Sequence, residues 1–317
     1  MSAKKGLVDC IYVAASSRDS RYTRISVASI RYFYPEIPIR ILASGRMGRG
    51  LLEELRQYWG VMPACIPTGD YGWGFVKLEA LFGPPGESFL VLDSDTVLTG
   101  RILESWMDSD APFLVDNEEQ SESAKKELYY DWCKLREIDA TTQPPRFVFN
   151  SGQWRGTAGI LTRDDFSPWV EWTFPRRLRH PKYFMPGDQG VLNYVLNRKA
   201  MLDGLRIECR SIMRWPGRKF QGLDADRLSR KAADPFIVHW AGLKKARLGQ
   251  MNGCDLLLFF EKRYYGRLPG GAARRILAAQ LHAVSFWLHE IEVRLRLGTI
   301  RVIDAICGCK LALFKHK

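Results

Sequence analysis

Hydrophobic and polar positions alternate over the first 200 residues in a way that predicts strands separated by helices. Short apolar runs typical of buried strands lie at 7–15, 37–43, 89–92, 112–115 and 156–161. Helical patterns lie after the first strand through Phe33, at 50–59 and in a polar insertion at 119–138. This order predicts an α/β fold with a mainly parallel central sheet flanked by helices.

Charge is concentrated toward the end of the chain. The net charge is +12, and residues 262–317 carry 11 Lys and Arg against 3 Asp and Glu, which accounts for +8 of it. We therefore expect one domain over 1–261 and a basic amphipathic helical region over 262–317. One face of this region carries an apolar stripe with helical spacing: Leu277, Leu281, Val284, Leu288, Ile291 and Leu295. The stripe fits a helix that packs on the core, and equally one that lies on an anionic membrane surface.

Composition narrows the setting of the protein. The chain is 46% hydrophobic, so it can bury a full core. Its seven cysteines are scattered without a Cys-x-x-Cys pair, which predicts a reducing compartment and no structural zinc. We expect no leader peptide, because the apolar run after Lys4 and Lys5 is only as long as a strand, and no run of about 20 apolar residues occurs in the sequence. We expect a cytoplasmic protein, attached at most to the inner face of the cytoplasmic membrane.

The segment FLVLDSDTVL carries the first candidate chemistry. Asp93 and Asp95 follow a predicted buried strand, at the sheet edge where open α/β folds bind ligands. Two carboxylates at this spacing can hold one Mg²⁺ or Mn²⁺ ion that also binds a diphosphate. Two other Asp-x-Asp pairs, at 108/110 and 224/226, do not follow an apolar strand, and we expect solvated turn carboxylates there.

Five further segments turn this spacing into a pattern: IYVAAS at 11–16, KLEAL at 77–81, VFNSG at 148–152, GDQGVLN at 187–193 and IVHWAGLKK at 237–245. In order and spacing the set resembles the GT-A glycosyltransferases, most closely the retaining family 8 type, over roughly residues 7–250. The resemblance implies a Rossmann-like nucleotide-diphospho-sugar transferase fold. It also implies a UDP-sugar donor held with Mn²⁺ or Mg²⁺, and a glycan or glycolipid acceptor.

The resemblance implies a metal site formed by Asp93, Asp95 and His239. A neutral imidazole at the end of the predicted strand 236–238 is a reasonable third ligand, although a lone histidine in an apolar run is more often a core residue. The family pattern His-x-x-Gly-x-x-Lys ends here at Lys245. The resemblance places that lysine on the donor diphosphate, where positive charge stabilises the departing nucleoside diphosphate.

The remaining donor-binding positions come from the same resemblance: Ala14, Ala15, Tyr22, Lys77, Ser94, Asn150, Ser151 and Gly242. Lys77 also fits an ordinary lysine on a helix surface.

Asp188 and Gln189 match the catalytic positions of the family, where the carboxylate holds donor hydroxyls and the amide faces the anomeric carbon. Asp188 also fits an N-cap of a predicted helix at 190–197. If configuration is retained, the acceptor hydroxyl attacks from the leaving-group face and gives its proton to a diphosphate oxygen. If configuration is inverted, Asp188 is the first candidate base.

Two other functions stay open at this stage. Four apolar residues followed by Asp-x-Asp also match the first motif of haloacid-dehalogenase-type phosphatases, with Asp93 as nucleophile and Asp95 as acid/base. That fold places the motif on its first strand, whereas about 90 residues precede it here. A basic nucleic-acid-binding protein is the non-enzymatic alternative because of the run RRLRHPKYF at 176–184, but the chain has no recognised nucleic-acid module and we expect no such partner.

Overall fold

The computed structural model describes residues 7–45, 47–217, 224–231 and 233–307, with 290 and 293–307 described by their backbone alone. The strands are β1 (Cys10–Ser16), β2 (Ile39–Ser44), β3 (Val61–Pro63), β4 (Ser88–Asp93), β5 (Thr96–Leu98), β6 (Phe113–Asp116), β7 (Gln153–Thr157), β8 (Val170–Glu171), β9 (Arg177–Leu178), β10 (Ile207–Arg210), β11 (Met213–Arg214) and β12 (Ile237–His239). The α-helices are α1 (Ser20–Phe33), α2 (Arg49–Trp59), α3 (Glu122–Leu128), α4 (Trp132–Leu135), α5 (Arg163–Phe166), α6 (Asp188–Leu202), α7 (Ala225–Ser229), α8 (Cys254–Gly266) and α9 (Gly271–Cys307).

The strands form a large central sheet. Within the described residues, a seven-stranded sheet has the order β10-β6-β7-β4-β1-β2-β3, beside a three-stranded sheet β11-β12-β5 and the pair β8-β9. Neighbours in the large sheet are parallel except β7, which runs antiparallel to both β4 and β6. This is the mainly parallel, helix-flanked sheet that the sequence predicts.

The sheet is buried on both faces. Along β1, Ile11 and Val13 pack in one core with α1, α2 and α8, while Cys10 and Tyr12 point into a second core with α6 and the 3-10 helix Phe75–Phe82. Strands covered on both sides need apolar residues at every position instead of alternate ones. This is why unbroken apolar runs locate β1, β2 and β4 in the sequence.

Strand β7 corrects the predicted strand at 156–161. The strand begins earlier and ends at Thr157, because its residues Gln153 and Arg155 are polar yet buried and leave no apolar run to recognise. Gly156 lies against the ring of Phe89, where an added Cβ would be 2.7 Å from the ring carbon Cζ. The apolar residues after 157 belong to a turn that leads into α5.

The C-terminal region begins in the core and then leaves it. The expected boundary at residue 261 falls within α8, and side chains as far as Leu268 are buried in the first core. Helix α9 contacts the core through Ala278 and His282. The apolar stripe itself is more than half exposed at Leu277, Leu281, Val284, Leu288 and Ile291, whereas the side chain of Leu295 is outside the described part. The stripe is therefore not the surface by which α9 packs on the core.

Among the described residues, no helix combines the length and apolar character needed to span a membrane.

Candidate active site

A cavity of about 770 Å³ opens at the carboxyl ends of β1 and β4. Strand β1 lies between β2 and β4, so the chain order changes direction there, and this is where open α/β sheets bind ligands. The strand register places Ala14 directly beside Asp93. Eight of the residues predicted to bind metal or donor line this cavity: Ala14, Ala15, Lys77, Asp93, Ser94, Asp95, His239 and Gly242.

Asp93, Asp95 and His239 form what we term the Asp-Asp-His cluster. Strand β4 ends at Asp93, and β12 brings His239 alongside because it pairs antiparallel with β5. The His239 Nε2 atom lies 3.3 Å from an Asp95 carboxylate oxygen and 3.7 Å from one of Asp93. One ligand atom from each residue can be chosen so that all lie within 4.8 Å of one another.

The chemistry of the cluster fits a divalent cation. His239 is 1% exposed, yet neither of its ring nitrogens makes a hydrogen bond to the described residues. A buried polar atom without a partner is costly, and metal coordination would satisfy it. Gly152 opens the space beside it, since a Cβ there would lie 2.2 Å from His239 Cε1 and 2.7 Å from Asp93 Oδ2. Two carboxylates and one imidazole are a donor set suited to Mn²⁺ or Mg²⁺.

Lys77 is buried between two of the predicted carboxylates. Its Nζ lies 3.2 Å from Asp93 and 3.2 Å from Asp188, and it donates to the Ser151 hydroxyl at 3.0 Å. Burial alone would lower the pKa of Lys77, but Asp188 and Asp93 raise it. The lysine is therefore a buried cation, and the alternative of a surface lysine is wrong.

Asp188 reaches Lys77 across a glycine. An added Cβ at Gly74 would lie 1.9 Å from Asp188 Oδ1, so only a residue without a side chain leaves room for the carboxylate. Burial raises the pKa of Asp188, and it outweighs the nearby charge of Lys77, which lowers that pKa. The N-cap position of α6 is held by Gly187, and Asp188 is the first helical residue, which excludes the N-cap alternative.

A second lysine, Lys244, lies at the other side of the cluster. Its Nζ is 3.1 Å from Asp95 and 2.8 Å from Asp19. Burial alone would raise the pKa of the Asp95 carboxyl, but Lys244 and His239 outweigh it and hold that pKa well below its usual range.

The side chain of Lys245, which the sequence pattern places on the diphosphate, is exposed and does not line the cavity. Sequence reasoning missed Lys244 because the two lysines are adjacent and a spacing pattern does not show which one turns inward. It also missed Asp19, the carboxylate that holds Lys244.

The Gln189 amide is held at the rim near Ser151. Its Nε2 donates to the Leu128 carbonyl at 2.9 Å, and its Oε1 accepts from the Ser151 backbone N–H at 3.3 Å. Asn150 Oδ1 accepts from the Gly152 backbone N–H at 2.8 Å, which fixes the turn beside the cluster. The structure thus brings Asn150, Ser151 and Gln189 together, next to Asp93.

Tyr22 is another predicted donor residue that does not line the cavity. It is 1% exposed, its hydroxyl contacts Met251 Sδ at 3.3 Å, and burial raises its pKa to about 12. Its ring contacts Lys244 at 5.4 Å and His282 of α9 at 5.5 Å. Tyr22 therefore supports the wall of the site from behind.

The fold is that of the GT-A glycosyltransferases, as the resemblance implies. Protein-family models and curated proteins give no match to the chain. Among solved structures, galactosyltransferase LgtC in complex with donor and acceptor sugar analogues aligns with a TM-score of 0.53 and 14% identity, over 82% of this chain and 100% of that one. The apo structure of the bifunctional glycosyltransferase WbbM aligns with a TM-score of 0.52 and 13% identity, over 82% of this chain and 51% of that one.

Proposed function

We propose that the protein is a metal-dependent glycosyltransferase that moves a sugar from a nucleotide-sugar, in the first instance a UDP-sugar, to a glycan or glycolipid acceptor. The observation that carries this proposal is the Asp-Asp-His cluster in the crevice between β1 and β4, with the buried Lys77 on one side and the half-buried Lys244 on the other. The GT-A fold supports the same activity. LgtC, which has a similar fold, was crystallised with donor and acceptor sugar analogues.

In this proposal the charged residues bind different parts of the donor. A cation held by the cluster would draw charge from the departing diphosphate. Lys244 adds positive charge from one side and Lys77 from the other, so both favour a transition state in which negative charge moves onto the leaving group. Asp188 lies beside Lys77, where a carboxylate can bind sugar hydroxyls.

Two amide side chains, Gln189 and Asn150, favour retention of configuration in this proposal. Gln189 and Asn150 present amide oxygens near the place where an oxocarbenium-like sugar would form. No separate base is needed if the acceptor proton passes to the diphosphate, so we propose the retaining outcome.

The test is nucleoside diphosphate release from a panel of nucleotide-sugars with and without Mn²⁺. Asp95→Asn should abolish metal-dependent release from whichever donor the wild type uses. Asp110→Asn is the matched control, because Asp110 closes another Asp-x-Asp pair and its side chain is 78% exposed. Equal release by wild type and Asp95→Asn would refute the proposal. Proton NMR of the first product formed distinguishes retention from inversion.

The structure gives the two alternatives less support. Asp93 ends the fourth strand of the chain. The phosphatase interpretation requires this aspartate on the first strand. In the basic run at 176–184, Arg176 is buried against Glu79, Arg177 pairs with Glu171 and Lys182 lies 3.6 Å from Glu137. Arg176 is thus withdrawn from the surface, while Arg177 and Lys182 are exposed but face acidic side chains, which lowers the net positive charge that the run offers to nucleic acid.

We further propose that α9 rests on an anionic membrane surface and brings the enzyme to a glycolipid acceptor at the inner face of the cytoplasmic membrane. Leu281, Trp287 and Leu288 are 58–63% exposed along one helix. The basic charge of 262–317 complements anionic headgroups.

Sedimentation with phosphatidylglycerol vesicles tests the membrane proposal. We expect the wild type to pellet with these vesicles, less so with phosphatidylcholine vesicles, and Leu281→Glu to weaken binding several-fold. Ile160→Glu is the control, since Ile160 is 40% exposed but lies far from α9 in the sequence. Unchanged vesicle binding by Leu281→Glu, together with a change in its molecular mass in solution, would instead show that the stripe joins two copies of the chain.

A further inference from the structure

Trp215 lies immediately after β11, next to the Asp-Asp-His cluster. Its indole ring stacks on the His239 imidazole, with ring centroids 5.6 Å apart and an angle of 15° between the planes. Strand β11 pairs in parallel with β12, so the two strands end side by side and present these rings together. Trp215 is nevertheless 41% exposed, an unusual position for so large an apolar side chain.

The orientation of the indole ring is fixed from its polar edge. The indole N–H of Trp215 interacts with the Glu118 carboxylate, which accepts a hydrogen bond from the Tyr129 hydroxyl. Burial raises the pKa of Glu118. With one face against His239 and the N–H held by Glu118, the ring loses little rotational freedom when a ligand binds to it, which favours affinity.

Trp215 stacks on His239 but does not line the donor cavity, whose lining includes His239 itself together with Ala241, Gly242 and Lys244. The Tyr129 that supports Glu118 directly follows Leu128, whose carbonyl holds the Gln189 amide. The indole, its supports and Gln189 therefore form one continuous region, which is where an acceptor would approach the sugar being transferred.

We propose that Trp215 is the stacking platform for the second sugar unit of an oligosaccharide acceptor, an inference that rests on the proposed glycosyltransferase function. The apolar C–H face of a pyranose ring matches a flat indole surface, and tryptophan offers a large rigid contact area with a polar edge. A ligand stacked on the outer face of the indole has the indole between it and the imidazole, and its ring lies about 3.5–4.0 Å beyond the indole plane. A sugar held there does not touch the Asp-Asp-His cluster, which is why we assign it to the unit after the one that reacts.

Two substitutions separate the platform from the support that Trp215 gives to His239. Trp215→Leu keeps apolar cover over the imidazole and removes the flat surface, whereas Trp215→Phe keeps an aromatic ring. Phe174→Leu is the matched control, because Phe174 is an aromatic side chain with the same 41% exposure as Trp215 and does not line the donor cavity. Transfer is measured to methyl hexosides and to the corresponding methyl disaccharides, using the donor that the wild type hydrolyses. Donor hydrolysis and UDP binding are measured on the same proteins.

We expect the wild type to prefer disaccharides, and Trp215→Leu to raise the KM for them about tenfold. In Trp215→Leu the KM for monosaccharides, donor hydrolysis and UDP affinity should change less than twofold. Trp215→Phe should give an intermediate KM for disaccharides, and Phe174→Leu should leave it unchanged. Equal effects on monosaccharides and disaccharides, or no preference in the wild type, would overturn the platform. A parallel loss of UDP binding in Trp215→Leu would show that the indole only supports His239. A wild type that releases no nucleoside diphosphate from any donor would refute the underlying function instead.

Discussion

Replacing Gly152 by alanine tests the Asp-Asp-His cluster without altering any of its members. The added carbon would lie 2.2 Å from His239 Cε1, 2.7 Å from Asp93 Oδ2 and 2.8 Å from Asn150 Oδ1. Ordinary contact begins at 3.4 Å, so the imidazole would have to retreat by 1.2 Å. Trp215 stacks on the imidazole, which limits such a retreat.

We expect Gly152→Ala to lower the reaction rate more than it lowers the stability of the fold. Misplacing a catalytic group by about 1 Å costs on the order of 10²-fold in rate, equivalent to about 2.8 kcal/mol. Overpacking a core site costs roughly 1–3 kcal/mol of folding free energy. We therefore expect Gly152→Ala to fold with a lowered Tm, to bind Mn²⁺ weakly and to lose about 99% of donor turnover.

Three measurements check this expectation: Mn²⁺ titration by electron paramagnetic resonance, donor hydrolysis at saturating Mn²⁺, and thermal unfolding. Gly50→Ala is the control, because a Cβ at Gly50 would meet nothing within 4 Å. Wild-type Mn²⁺ affinity and turnover in Gly152→Ala would refute the metal site that we derive from the geometry. Loss of turnover with unchanged Mn²⁺ affinity would place the metal elsewhere.

Three further predictions follow from the charged and titratable groups. Lys244→Met should lower donor kcat/KM about 100-fold, whereas Lys245→Met should change it less than threefold, as steady-state kinetics with the identified donor will show. Glu79→Gln should lower the free energy of unfolding by about 3–5 kcal/mol, because it leaves the buried Arg176 without its opposite charge. The exposed Glu53→Gln should change it by less than about 0.5 kcal/mol, and urea titrations measure both values. Burial and nearby positive charge hold the pKa of His282 below 6.5, so its contribution to stability is complete above that pH and is lost as pH falls through the lowered pKa. His282→Phe should therefore reduce the fall in Tm as pH drops below 6.5, measured by thermal unfolding at a series of pH values.

The sequence predicts those parts of the fold where burial leaves a simple pattern. Apolar runs locate β1, β2 and β4, and the acidic pair that ends β4 lies in the crevice where the sheet topology places ligands. Strand β7 lacks this signal because its buried face contains Gln153 and Arg155. Its antiparallel direction depends on long-range pairing with β4 and β6, which no local pattern encodes.

The other features that the sequence did not predict depend on the direction in which side chains point. Lys244 and Lys245 are the same residue type and adjacent in the chain. Which of them points into the cavity depends on the path of the loop after β12. The same applies to the apolar stripe of α9, whose periodicity predicts a helix face but not what that face contacts. Trp215 carried no signal in the sequence, since its role depends on stacking with a histidine from another strand.

The antiparallel direction of β7 has a consequence for how this protein can diversify. Strand β6 ends at the catalytic edge of the sheet and β7 begins there, so residues 117–152 leave and return on the same side without crossing the sheet. Lengthening such an excursion is inexpensive, since doubling a loop adds only about 0.6 kcal/mol of closure entropy. Glu118 and Gly152 lie near its two ends, and Tyr129, Tyr130 and Trp132 within it are buried in the second core, so length and sequence can change most easily in exposed stretches such as 121–123 and 136–138. In the function that we propose, remodelling these stretches would alter the surroundings of the Asp-Asp-His cluster while the sheet and the cluster stay as they are.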